Sequence, residues 1–277
     1  MRPPTETTQT ATDAGTRYNE LGASYRRTRR PDDRIARLIE KALDTCVSVV
    51  NVGAGAGSYE SVHRRVVALE PSRVMIRQRA RESAPAVLGR AEALPFRESS
   101  VDAATAFLTV HHWTDQVAGL REMRRIARRR VVVLAYVPSE IDPRDCWLTR
   151  VYFPQVGARL DSMFPGPDVY AAALGRCELV QVPVPADCTD GFLDAYWARP
   201  ELYLDASVRA GIFWLQELAP AELDAGLRRL ERDLADGTWD ARFGHLRSRS
   251  DFDAGLRLVC AERTTTDGNV SLGENQS

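Results

Sequence analysis

Residues 49–58 read VVNVGAGAGS, a short β-branched run that ends in three glycines spaced two apart, at Gly53, Gly55 and Gly57. A buried strand that runs into such a turn is constrained in what can follow. Glycine has no Cβ and tolerates positive φ, so the backbone can turn sharply and come close to a ligand. The same geometry can also close a strand for structural reasons alone. One βα unit later, residues 66–72 read VVALEPS, a second apolar strand ending in Glu70. A carboxylate at the carboxyl edge of the neighbouring strand can accept both hydroxyls of a ribose, or it can cap the helix that follows. A dinucleotide fingerprint needs its third glycine at position 58, where this chain has Ser58, and nothing downstream is set to hold a nicotinamide.

The rest of the first half keeps the same alternation. Ile35, Leu38, Ile39 and Leu43 fall at helical spacing after Pro31 and Asp32, and Val117, Leu120, Met123 and Ala127 do so within 115–128. Apolar runs at 47–52, 66–69, 86–88, 103–108 and 131–137 predict buried strands, which implies a parallel sheet covered on both faces. The arginines at 121–130 predict the exposed face of a helix. After Pro138 the pattern breaks. Strands are expected at 178–184 and 256–261, with an amphipathic helix after Pro220 (Leu223, Leu227, Leu230, Leu234) that stops at Gly237.

These elements predict one Rossmann-like domain over 17–263. Its core spans about 35–137, 176–184 and 255–262, with cap insertions at about 139–175 and 185–254. The polar segments 1–16 and 264–277 lack the apolar groups needed to order themselves.

Charge and cysteine content narrow the function classes. The chain carries 37 basic and 38 acidic residues, a formal charge of −1, which argues against a broad positive field for nucleic acid. The five cysteines are far apart, with neither a C-x-x-C pair nor zinc-ligand spacing, so no disulfide framework or metal site is expected. No signal peptide or membrane span is expected, and the reading is a cytoplasmic protein.

Four segments in order, NVGAGAGSYE (51–60), LEPS (69–72), GRAEALPF (89–96) and LTVHHW (108–113), resemble class I S-adenosylmethionine-dependent methyltransferases. The likeness is to the small-molecule branch with the ubiquinone/menaquinone-type domain, and it covers about 35–137. It implies a seven-stranded, mostly parallel sheet with helices on both faces and helical caps.

It also implies roles at matching positions. Gly53, Ala54 and Gly55 would pack on the methionine part of the cofactor, and Glu70 would hold the ribose diol with Pro71 beside the adenine. Ala91 and Glu92 would sit at the adenine edge, and Leu108 near the sulfonium. Asn51 stands where an acidic residue is common, and Arg90 where many relatives carry Asp. Tyr25 and Arg30, before the first core helix, are candidates for the cofactor carboxylate, because a guanidinium matches it bidentately. His112, ahead of His111, is the candidate base, since imidazole can take a proton from an acceptor near neutral pH. The expected reaction is methyl transfer to a small, partly apolar acceptor. The alternative is a homologue that keeps the cofactor but acts as a cyclase or a non-catalytic binding protein.

Overall fold

The computed structural model describes residues 29–140 and 146–263. Helix α1 (Asp33–Leu43) starts at Asp32, whose carboxylate accepts the Arg34 N–H, and buries Ile35, Ile39 and Leu43 on one face. It is followed by β1 (Ser48–Val52), β2 (Arg65–Glu70), α2 (Arg73–Gln78), β3 (Ala86–Leu88) and β4 (Val101–Phe107). Next come α3 (Gln116–Ile126), β5 (Ala127–Tyr136), α4 (Pro154–Met163), α5 (Pro167–Leu174), β6 (Cys177–Gln181) and β7 (Val184–Pro185). Helices α6 (Pro220–Ala235) and α7 (Thr238–Phe243) then lead to β8 (Asp251–Phe252) and β9 (Leu256–Glu262).

Seven strands form one sheet in the order β3-β2-β1-β4-β5-β9-β6, and β7 pairs with β8 separately. The β3, β2, β1, β4 and β5 pairings are parallel, whereas β9 runs antiparallel to both β5 and β6. Because strand order reverses between β1 and β4, their carboxyl ends open a crevice, the usual ligand position in such sheets.

Side-chain alternation divides the core in two. Val49, Val132 and Leu134 face α1, while Val50, Val131 and Val133 face α3 and α5. The layer on the α1 side continues into the cap through Trp147, Phe153, Trp197 and Trp239.

Several expectations shift. The helix predicted to reach Arg128 ends at Ile126, so Arg128, Arg129 and Arg130 lie on β5. Ala127 is already extended, and the parallel ladder to β4 begins at it. The arginines instead reach neighbouring loops and strands: Arg128 pairs with Asp102 and Arg130 with Glu262. Residues 139–175 are not wholly a cap insertion, because α5 places Tyr170, Ala173 and Leu174 in the α3-side core. The run 178–184 divides into β6 and β7 around Pro183, which has no N–H to give a ladder.

Asp102 ties the start of β1 to β4. Its Oδ2 accepts the N–H groups of Val47 and Ser48, each at 2.9 Å, and the Ser48 hydroxyl at 2.9 Å. Burial pushes this carboxyl up, but those bonds and Arg128 outweigh it and hold the group well below its ordinary 3.8. A depressed folded-state pKa gives stability that is full above the unfolded value and is lost as pH falls towards the folded one. Thermal melts are therefore expected to decline below about pH 4 in the native protein. In Asp102→Asn the acid limb should be shallower, and an unchanged limb would refute the assignment.

Candidate active site

The crevice over β1 and β4 is a cavity of about 960 Å³ measured out to its open mouth. It collects most of the residues singled out from the sequence: Asn51, Gly53, Ala54, Gly55, Glu70, Pro71, Ala91, Glu92, Leu108 and His112 all line it.

The glycine turn forms the floor. Gly53 has φ +68°, and a Cβ there would sit 2.3 Å from Thr109 Oγ1, so no side chain fits. Gly55, at φ +52°, donates its N–H to Glu70 Oε2 at 2.8 Å, and Ser72 N–H reaches Glu70 Oε1 at 2.9 Å. Each carboxylate oxygen keeps acceptor capacity, since an ionised carboxylate offers about four lone-pair sites. Burial pushes the Glu70 carboxyl above its ordinary 4.5, partly offset by the Ser72 and Gly55 N–H groups and the nearby Arg79. Glu70 therefore links strand end, glycine turn and helix start, and still presents oxygens to the cavity.

Around this floor, side chains are allocated differently from the sequence reading. Asn51 is buried and its amide is engaged: Nδ2 donates to Glu60 Oε1 at 3.2 Å and Oδ1 accepts from Thr105 at 3.4 Å. Glu92 Oε1 accepts the N–H groups of Thr114 (2.9 Å) and Asp115 (3.3 Å), just before α3. Glu92 thus anchors the start of α3 through one oxygen while it lines the cavity beside Ala91. Arg90 lines the cavity and donates to Thr114 Oγ1 at 2.7 Å.

Arg30 is exposed and absent from the cavity wall, whereas Arg29 lines it. Arg29 is held there because its Nε and Nη2 bond the two oxygens of the fully buried Asp190, at 2.6 and 3.2 Å. Tyr59, at the end of the glycine turn, donates its hydroxyl to Asp190 Oδ2 at 2.9 Å. Tyr25 lies outside the described residues.

The two histidines separate. A helical turn, Val110–His112, points His112 into the cavity and His111 away from it. The His111 ring is buried against Phe164 (4.2 Å between centroids) and Trp214 (5.6 Å). Burial, and then the like charges of His112 and Arg29, hold His111 well below its ordinary 6.5, so it is neutral at pH 7. Enclosed in this way, His111 cannot reach a ligand in the cavity, and its candidacy as a base is withdrawn.

Leu108, just before the turn, has φ +53° and Tyr59 has φ +61°. Non-glycine residues in this region are strained, and such strain clusters at functional sites. Sequence reasoning missed Arg29, Tyr59, Thr109 and Trp113, although the last three fall inside or beside the quoted motifs. No signal in the sequence distinguished Arg29 from Arg30. The cap aromatics Tyr152, Phe153, Phe164, Tyr196, Trp197, Phe213 and Trp214 do not line this cavity, whose rings among the described residues are Tyr59, Phe107, His112 and Trp113. Among the described residues no helix is long and apolar enough to cross a membrane, and no group of three metal-ligating side chains converges.

Comparison with known proteins agrees with this geometry. The profile of a family described as "Methyltransferase domain" matches residues 50–135, the stretch that builds the cavity floor. The uncharacterized protein YafE of Escherichia coli K12 is 37% identical over 65 residues, and that match spans only 31% of YafE and 23% of this chain. The [4+2]-cyclase SpnF shares the fold at 16% identity, with a TM-score of 0.52 over 92% of this chain and 97% of that one. A protein from Anabaena variabilis ATCC 29413, assigned as a methyltransferase from an antibiotic biosynthesis pathway, superposes with a TM-score of 0.77 at 30% identity. That likeness covers 84% of this chain and 98% of the other, and with the profile match it means that the chain belongs to the methyltransferase family.

Proposed function

We propose that the protein transfers a methyl group from S-adenosyl-L-methionine to a small, partly apolar organic acceptor in secondary metabolism, leaving S-adenosyl-L-homocysteine. The observation that carries this reading is the Glu70 carboxylate, fixed by Gly55 and Ser72 N–H groups at the edge of a turn that admits no Cβ. A nucleoside fits that cradle: the bare backbone allows close approach, and two acceptor oxygens suit a ribose diol. The pathway of the Anabaena relative supports the assignment to secondary metabolism. A cytoplasmic location is part of the reading, since the five cysteines stand far apart in the sequence with no C-x-x-C pair. Nucleic acid and membranes are not among the proposed partners.

Each side chain then has a task. Glu70 accepts the ribose hydroxyls, Pro71 and Ala91 shape the adenine side, and Arg29, held by Asp190, meets the cofactor carboxylate in place of Arg30. When bound, the cofactor supplies a methyl group already activated on a sulfonium. The protein's contribution is therefore mainly alignment of the acceptor and exclusion of water. Leu108 and Phe107 form the apolar wall beside the transfer centre, and His112 takes the acceptor proton where the nucleophile carries one.

Calorimetry with S-adenosylhomocysteine tests the cradle. Saturable binding is expected, with affinity about 100-fold lower in Glu70→Ala, because charge-assisted hydrogen bonds are lost and the Gly55 N–H loses its acceptor. Absent binding, or equal binding by the variant, would overturn the reading. The mass of the product separates methyl transfer from cyclase chemistry: a gain of one CH2 unit supports transfer, and an isomer of unchanged mass supports a cyclase.

A further inference from the structure

A second cavity, of about 520 Å³ out to its mouth, lies under the cap at the carboxyl end of β5. Its walls include Tyr136 and Phe252, and its polar lining includes Asp194 and Thr149. At its rim Arg150 and Asp161 pair with each other at 3.1 Å and are both part-exposed, so neither compensates a charge deeper in.

Asp194 is the unusual member. Among the described residues no cation approaches it, and its polar neighbour is the Tyr136 hydroxyl. That hydroxyl is buried and closes no well-formed hydrogen bond of its own. The other titratable groups around it are Tyr203, whose hydroxyl is spent on Leu193 O at 2.7 Å, and Cys146. Burial pushes the Asp194 carboxyl up to about 7, with the Tyr136 hydroxyl acting in the opposite direction. A buried carboxyl and a phenol that face each other but no cation, both on a cavity, are costly in a finished core. They are what a site for a cationic ligand needs before that ligand arrives.

We propose that this cavity is a second small-molecule site, selective for a protonated amine. An ammonium group would donate to the Asp194 carboxylate and the Tyr136 hydroxyl oxygen, with the Phe252 ring among the apolar walls around it. A divalent cation fits less well, because no third ligating side chain converges there among the described residues. A chain of rings connects the two cavities: Phe164 packs 5.5 Å from Tyr136 and 4.2 Å from His111, and His111 packs 3.8 Å from His112, which lines the cofactor cavity. Resting on the methyltransferase reading, the amine is the anchored end of the acceptor.

Calorimetric titration of the full chain at pH 8 with phenethylamine, and separately with its neutral counterpart 2-phenylethanol, tests the site. The amine is expected to bind saturably and at least about tenfold tighter than the alcohol, and Asp194→Asn to remove that preference. No saturable amine binding, or equal affinity for amine and alcohol in the native protein, would overturn the proposal without recourse to any variant. So would a preference that survives in Asp194→Asn. A parallel titration with S-adenosylhomocysteine reports on the other cavity, so failure of the cofactor reading and failure of the amine site give different results.

Discussion

Gly53→Ala is expected to lower affinity for S-adenosylhomocysteine on the order of 1,000-fold, for two reasons that add. The residue sits at φ +68°, where an L side chain costs about 1–2 kcal/mol. Its Cβ would also lie 2.3 Å from Thr109 Oγ1 and 2.9 Å from Cγ2, so the turn or the loop after β4 must move. Both line the cavity, and displacements of about 1 Å in a positioning element are enough to cost about 100-fold. Gly55 makes the natural control. It has a similar φ of +52°, but its Cβ would meet only Met75 Cε at 3.5 Å, so Gly55→Ala should be much milder. Removing the hydroxyl and methyl of Thr109 in Gly53→Ala/Thr109→Ala should restore part of the affinity. Equal affinities for the native protein and Gly53→Ala would show that the turn does not approach the ligand.

The second large effect belongs to Asp190, which is wholly buried and accepts from Arg29 and Tyr59 together. Asp190→Ala leaves a guanidinium and a phenol in the wall of the cavity with their shared acceptor gone. Breaking a buried pair from one side costs about 3–5 kcal/mol. In a protein of this size that corresponds to a fall in Tm on the order of 10 °C. Cofactor affinity should fall as well, since Arg29 and Tyr59 both line the cavity. Asp190→Asn keeps one carbonyl acceptor and should lie between the two. Chemical denaturation and thermal melts check the stability, and a change in Tm of less than about 2 °C would mean that the clamp contributes little.

Much of the frame is legible from local signals. β3 begins and ends where the apolar run does, and α1 follows from Ile35, Ile39 and Leu43 after an Asp cap. The exceptions share one cause. Ala127 and the three arginines after it read as helix because their polar pattern is compatible with an exposed face, yet pairing with β4 draws them into a strand. Residues 167–174 read as irregular because their apolar face is short, and only packing on α3 and the sheet makes it a core helix.

What the amino-acid order determines by itself is the cradle: Gly53 and Gly55 form the turn that follows β1 and Glu70 ends the adjacent parallel β2, so local turn chemistry and the β1–β2 register bring them together. What only the tertiary structure decides is which member of each ambiguous pair faces the ligand. Arg29 is chosen over Arg30 by Asp190, 161 residues away, and His112 over His111 by a ring from the cap at Phe164. Such choices rest on contacts between distant segments, and neighbours in sequence carry the same chemistry until one of them is buried.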